Sequence, residues 1–245
     1  MSEKMKNNLN EGHRKRLRER FKKTGLVGLH DYELIELLLT YAIPQKDVKP
    51  IAKELIQQFN GTKGIFDASI EELTSVTGIG ERAAILIKLL KEGATFYLKT
   101  RIQGKEVLSS PQDVFDFCHH AISGEKNEKF MVIYLSTKNE VIEVETLEEG
   151  TINQTAVYPR KIIEGALKHN ASALIFVHNH PSGDPTPSKT DRQLTEDLKK
   201  AASTIDITVH DHIIVGRNSH FSGRENGWLL KNIPSSSQVA DRENG

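Results

Sequence analysis

The residues best placed to do chemistry lie in one stretch, His178-Asn179-His180-Pro181-Ser182-Gly183-Asp184-Pro185-Thr186-Pro187-Ser188-Lys189-Thr190-Asp191. Ahead of it runs Ala173-Leu174-Ile175-Phe176-Val177, a continuous apolar run that reads as a buried strand. Residues i and i+2 of a strand share a face. If the extended backbone carries through Asn179, the imidazoles of His178 and His180 project together from the strand's end. Pro181, Pro185 and Pro187 then stiffen the loop and stop both strand and helix. Leu194, Leu198, Ala201 and Ala202 follow at helical spacing, with Ser188 and Asp191 in the first turn. Two neutral imidazoles, one carboxylate and an open fourth position make a catalytic zinc set, in which the ion acidifies a water and polarises a carbonyl. Ser188-x-x-Asp191 is equally a helix capping box. The two roles are compatible, because a helix N-terminus holds a side chain rigidly.

The elements that must carry this set follow from the chain around it. Pro111 opens a helix through Val114, Phe117, Cys118 and Ile122, and Glu128 to Leu135 reads as a strand. Lys138-Asn139-Glu140 is a turn, and Val141 to Leu147 alternates as a hairpin partner should. Pro159 suits the first position of a further helix. Beyond the motif helix, Ile207 to Gly216 is a strand with a second His-x-His, His210-Asp211-His212. No carboxylate-bearing helix follows it, so His212 is expected to be a hydrogen-bonded support and not a ligand. His220 to Ser222 is a short strand, and Arg224 to Leu230 a short helix. This order gives an α/β domain over 111–232, either α+β or three-layer α/β/α.

The N-terminal part reads differently. Residues 1–12 are expected to be a disordered tail. His13 to Lys23 is a basic helix with Leu17 and Phe21 on one stripe; its basic face suits phosphates or solvent. Helices follow from Asp31 to near Pro44 and from Ile51 to Gly61. A connection through Gly64-Ile65-Phe66 leads to a short helix opened by the Ser69-x-x-Glu72 capping box. Thr77-Gly78-Ile79-Gly80 then precedes a helix carrying Ala83, Ala84, Ile87, Leu90 and Ala94. Helix, Gly-Ile-Gly, helix is the helix-hairpin-helix pattern. Its glycines permit a tight turn, and amides at the second helix's N-terminus can face a DNA phosphate without reading bases. Gly78, Ile79, Gly80 and Arg82 are the candidate DNA contacts. The division is therefore a helical domain over 13–100, a linker over 101–110, the α/β domain, and a disordered polar tail over 233–245.

Composition bounds the class. The 245 residues, 37% hydrophobic and 27% charged, suit one or two ordinary globular domains. No apolar run is long enough to span a bilayer, and Met-Ser-Glu-Lys-Met-Lys-Asn-Asn lacks a signal peptide's apolar core. The single cysteine, Cys118, reads as a small buried apolar residue, and a cytoplasmic location is expected. Net charge is zero, yet residues 1–105 hold 19 Lys+Arg against 13 Asp+Glu and the remainder 14 against 20. That asymmetry fits a polyanionic partner for the first half.

His-x-His-x7-Ser-x2-Asp resembles the JAMM motif of the MPN/JAB metalloproteases. The wider stretch from His178 to Asp191 resembles the bacterial RadC family, which carries a DNA-repair label, over nearly the whole chain apart from the tails. The resemblance implies a curved sheet flanked by helices and one zinc ion on His178, His180 and Asp191. It implies a glutamate at the start of the first strand as general base, a place Glu128 occupies here, and an oxyanion-hole role for Ser188. One departure stands out. Where RadC-like chains often read Val-His-Pro-Arg-Glu, this one reads Val157-Tyr158-Pro159-Arg160-Lys161, which leaves Glu164 as a weaker substitute base. The leading expectation is a zinc hydrolase cleaving amide or isopeptide bonds in a protein or peptide, brought to DNA or a DNA-bound partner. The rivals are a DNA-binding accessory protein with a structural or vestigial metal site, and a metal-dependent nuclease.

Overall fold

A computed structural model describes residues 3–44, 46–107, 111–147 and 159–229. The chain divides into two compact units, Met1–Leu98 and Lys99–Gly245. The first is helical: α1 (Glu3–Thr24), a 3-10 turn (Gly25–Gly28), α2 (Asp31–Ala42), α3 (Lys49–Gln58), α4 (Thr62–Asp67), α5 (Ile70–Thr74) and α6 (Glu81–Ile102), whose last turn belongs to the second unit. The sequence reading differs at two places. Helix α1 reaches back to Glu3, where a disordered tail was expected, and Gly64-Ile65-Phe66 lies inside α4 because Ile65 is drawn into the core.

That core joins Ile35 and Leu39 of α2, Leu55 of α3, Leu73 of α5, and Ile79, Ala83, Ala84 and Ile87 around the start of α6. Helix α1 is tied to α2 by Arg20–Glu33 and His13–Glu36 pairs, both at 2.7 Å, and both glutamates are buried. The Arg14 guanidinium donates to the carbonyls of Ile43, Pro44 and Lys46. Part of the basic helix therefore serves the unit's own packing. Of its expected stripe, Leu17 is buried and Phe21 exposed.

The Ser69–Glu72 capping box is present as read, and the chain turns through Gly78 at φ 93° into α6. Ile79 is buried, and its amide donates to the Val76 carbonyl at 3.0 Å. It anchors the turn and is not available to a phosphate, contrary to its place among the candidate DNA contacts. Gly78 is favoured by that left-handed backbone, and a Cβ there would also displace the end of the Ile51 side chain, 2.8 Å away, whereas at Gly80 nothing lies within 4 Å.

The second unit holds α7 (Pro111–Ile122), β1 (Phe130–Leu135), β2 (Val141–Leu147), α8 (Pro159–Lys168), β3 (Ala173–Asn179), α9 (Lys189–Ser203), β4 (Thr208–Val215) and β5 (His220–Ser222). The sheet order is β2-β1-β3-β4-β5. Among the described strands only β3 and β4 pair in parallel, and α9 is their crossover. One sheet face buries Phe130, Val132, Tyr134, Leu174 and Phe176 against Ile162 and Ala166 of α8 and Leu198 and Ala202 of α9. Helix α7 packs on β3 and β4, with Cys118 fully buried and its thiol pushed up to about 12 by that burial. The expected linker is only partly one. Residues 101–102 close α6, and 103–107 run beside β2, with Gly104 N–H on the Val141 carbonyl and Val141 N–H on that of Lys105. Residues 223–229 form turns where a helix was expected. Residues 108–110, Tyr158 and the tail 233–245 lie outside the described residues.

Replacing Gly78 with alanine is expected to destabilise the helical unit by about 1–3 kcal/mol, because the left-handed backbone and the Ile51 contact act together. Gly80→Ala, which meets open space, should change stability by less than about 0.5 kcal/mol. Urea denaturation of the full chain followed by circular dichroism compares the two.

Candidate metal centre

Strand β3 stays extended to its last residue because it is paired on both sides. His178 lies opposite Phe130 of β1 and Ile214 of β4, and the His180 amide continues the ladder onto the Val215 carbonyl at 3.0 Å. His178 and His180 therefore emerge on one side, their Nε2 atoms 3.1 Å apart. Helix α9 brings Asp191 to them: Oδ1 is 3.5 Å from His178 Nε2, and Oδ2 is 3.5 Å from His180 Nε2. The three side chains form a group able to hold a metal ion. His178 is 1% exposed and Asp191 is buried.

The capping box is real as well. Ser188 N–H donates to Asp191 Oδ2 at 2.6 Å, and Asp191 N–H donates to Ser188 Oγ at 3.1 Å. The cap thus aims the carboxylate: Oδ2 is held by the Ser188 amide and faces His180, while Oδ1 faces His178. The proline loop is held against the end of β4, where a Cβ on Gly216 would lie 2.6 Å from the Gly183 carbonyl oxygen. Arg217 N–H donates to that same oxygen.

Protonation explains why these atoms can converge. The His180 Nδ1 faces the Asp184 carbonyl at 2.8 Å, and a carbonyl only accepts, so Nδ1 carries the proton of that bond and Nε2 is turned toward His178. Burial pushes the His178 ring down to about 4, with Asp191 opposing and His180 adding to the fall. Two imidazole Nε2 atoms and a carboxylate aimed at one point are a donor set for a divalent cation.

Glu128 arrives at the rim. Its Oε1 is 3.8 Å from His178 Nε2, beyond hydrogen-bond length, and its side chain is 44% exposed. What holds the segment bearing Glu128 is Asn179, a residue the sequence reading passed over as the middle of His-x-His. Asn179 is buried, and by strand alternation it points away from the two histidines. Its Oδ1 accepts from Lys129 N–H at 2.7 Å, and its Nδ2 donates to the Glu125 and Asn127 carbonyls at 3.2 Å each. A buried carboxamide with every hydrogen bond directed at one neighbouring loop is a signal that only the fold reveals.

The second His-x-His behaves as a support. His210 Nε2 pairs with Asn139 Oδ1 at 2.6 Å. His212 Nε2 lies 2.8 Å from His178 Nδ1, and His212 Nδ1 lies 2.6 Å from Thr195 Oγ1. Burial, then the neighbouring His178 and His180, hold the His212 ring well below its ordinary range. Lys161 is exposed on α8, and Glu164 is ion-paired with Arg160 at 2.8 Å. Gly78, Ile79, Gly80 and Arg82 belong to the helical unit and are described there.

A family profile described as RadC-like JAB domain matches residues 108–228, and one described as UPF0758 N-terminal matches residues 10–85. A UPF0758 protein of Ruegeria pomeroyi is 42% identical over 217 residues, covering 89% of this chain and 97% of its own length. A UPF0758 protein of Fusobacterium nucleatum is 41% identical over 227 residues, covering 90% and 98%. One of Rhodobacter capsulatus is 41% identical over 213 residues, covering 87% and 100%.

Because His178 and His212 are held below 6.5, the unfolded chain binds protons that the folded rings do not as the pH falls below that value. The neutral rings' contribution is complete above about pH 6.5 and is lost progressively as the pH falls below it, for His178 toward about pH 4. Urea denaturation of metal-free protein should give a lower midpoint at about pH 5 than at about pH 7, and His212→Gln should flatten that slope.

Proposed function

The chain belongs to the UPF0758 family with its RadC-like JAB domain, and from that premise we propose that it is a zinc-dependent hydrolase cleaving amide or isopeptide bonds. The observation that carries this reading is the convergence of His178, His180 and Asp191, with Glu128 Oε1 3.8 Å from His178 Nε2 at the rim. Zinc bonds of about 2.0–2.1 Å in a tetrahedron separate ligand atoms by about 3.3 Å. The separations here, 3.1 Å between the imidazole Nε2 atoms, 3.5 Å from His178 to Asp191 Oδ1 and 3.5 Å from His180 to Asp191 Oδ2, are of that size.

Zinc, when held there, supplies a Lewis acid that polarises a carbonyl and brings a water's pKa toward neutrality. The chain's residues do the rest. Glu128 takes the attacking water's proton on its carboxylate and returns it to the leaving amine. Partial exposure at the rim gives it access to both. The Ser188 hydroxyl accepts from the Asp191 amide and keeps its own proton to donate to the developing oxyanion. Asp191 is kept oriented by the Ser188 amide throughout.

Zinc content of purified wild type, His178→Ala and Glu128→Gln tests this. The reading expects one zinc in wild type, none in His178→Ala, and one in Glu128→Gln together with loss of peptide hydrolysis by at least about 100-fold. A wild type that takes up no zinc would overturn it.

Recruitment to DNA is the second component. Its support is the open space at Gly80, where the backbone opening α6 can be approached closely, and the exposed Arg82 beside it. Binding to duplex DNA measured against salt should be sequence-independent. Arg82→Ala should lower the salt slope by about one, as expected for one lost phosphate contact.

A further inference from the structure

We propose that Thr195 and His212 fix the tautomer of His178, presenting its Nε2 as a bare lone pair, through a one-way chain of hydrogen bonds anchored on a backbone carbonyl. Its consequence for the metal rests on the reading of the site given above; the tautomer itself does not.

The direction follows from the anchor. The Asp191 carbonyl oxygen can only accept, and Thr195 Oγ1 lies 2.6 Å from it, so the hydroxyl proton points there. That leaves Oγ1 as an acceptor toward His212 Nδ1 at 2.6 Å, which must carry the ring's proton. The His212 ring is 0% exposed, and both its nitrogens are used within this chain of bonds. With one proton already on Nδ1, its Nε2 is a lone pair, and it faces His178 Nδ1 at 2.8 Å. His178 therefore carries its proton on Nδ1, and its Nε2 is bare. The same α9 segment that supplies the carboxylate of Asp191 thus uses the carbonyl of Asp191 to set the proton order of the buried imidazole beside it.

The chain's composition matters as much as its direction. Histidines that bind metals commonly donate to a carboxylate, which raises their basicity. Here the acceptor is a neutral imidazole backed by a hydroxyl. Asp191 remains the one carboxylate among the three ligands, and the supporting bonds add no second negative charge. Thr195 and His212 are positioning residues: neither is among the metal group, and both act through His178.

The test reads ring protonation directly. Nitrogen-15 spectra of the histidines in zinc-free wild type should show His178 protonated at Nδ1 and bare at Nε2 before any metal is added. Thr195→Val removes the hydroxyl with little change of shape, frees His212 to reverse, and should give His178 a mixture of tautomers. Zinc affinity by chelator competition should then weaken about 10- to 100-fold, and Thr195→Ser should restore both readouts. A His178 proton on Nε2 in zinc-free wild type overturns the proposal. So does a folded Thr195→Val protein with unchanged His178 tautomer and unchanged zinc affinity. If wild type takes up no zinc, the metal reading falls, and the zinc-free spectra still decide the proton order.

Discussion

The pairing of β3 on both of its edges is the constraint on which the rest depends. A strand bonded on one side can fray or bulge near its end; this one is held by β1 out to His178 and by β4 out to Asn179. The period of two therefore survives to the motif, and one alternation assigns two tasks. His178 and His180 face the metal position, and Asn179 faces the loop that carries Glu128. A slip of one residue would exchange those faces and dismantle both.

The second fixed point is the start of α9. Its capping box satisfies amides that a helix N-terminus leaves unpaired, and the same carboxylate lies 3.5 Å from each imidazole. Stability and ligation are served by one geometry, because a capping aspartate at this position cannot swing away without breaking the bond from the Ser188 amide. The crossover from β3 through α9 to β4 then returns the chain so that His212 lies behind His178. Ligand, cap and support thus come from a single βαβ unit.

In the helical unit, charge is spent inwardly. His13, Arg14 and Arg20 of the basic helix are engaged with Glu36, with main-chain carbonyls and with Glu33. Because both glutamates are buried, removing either partner would strand a charge or a desolvated carboxylate. The excess of basic residues in the first half is thus smaller as a surface property than as a count. Any DNA contact has to come from residues outside this latch, such as Arg82.

Much was legible in the residues themselves. The period of the apolar positions placed most of the helices and strands, Ser69-x-x-Glu72 and Ser188-x-x-Asp191 marked true helix starts, and His-x-His with a later Asp named the metal group. These are local properties, encoded by spacing along the chain. Helix α4 was missed because Ile65 and Phe66 next to Gly64 have no period to read, and residues 103–107 because pairing with β2 depends on a partner far along the chain. The same holds for Ile79, whose amide is taken by a local turn and whose side chain by a core assembled from α2, α3, α4, α5 and α6. What only the tertiary structure decided is which groups meet. The loop-holding role of Asn179, the placing of Glu128 at the rim, and the order Asp191 carbonyl, Thr195, His212, His178 all arise from contacts between distant segments. A sequence states residue type and spacing, whereas the direction of a hydrogen bond depends on where an acceptor that cannot donate is finally placed.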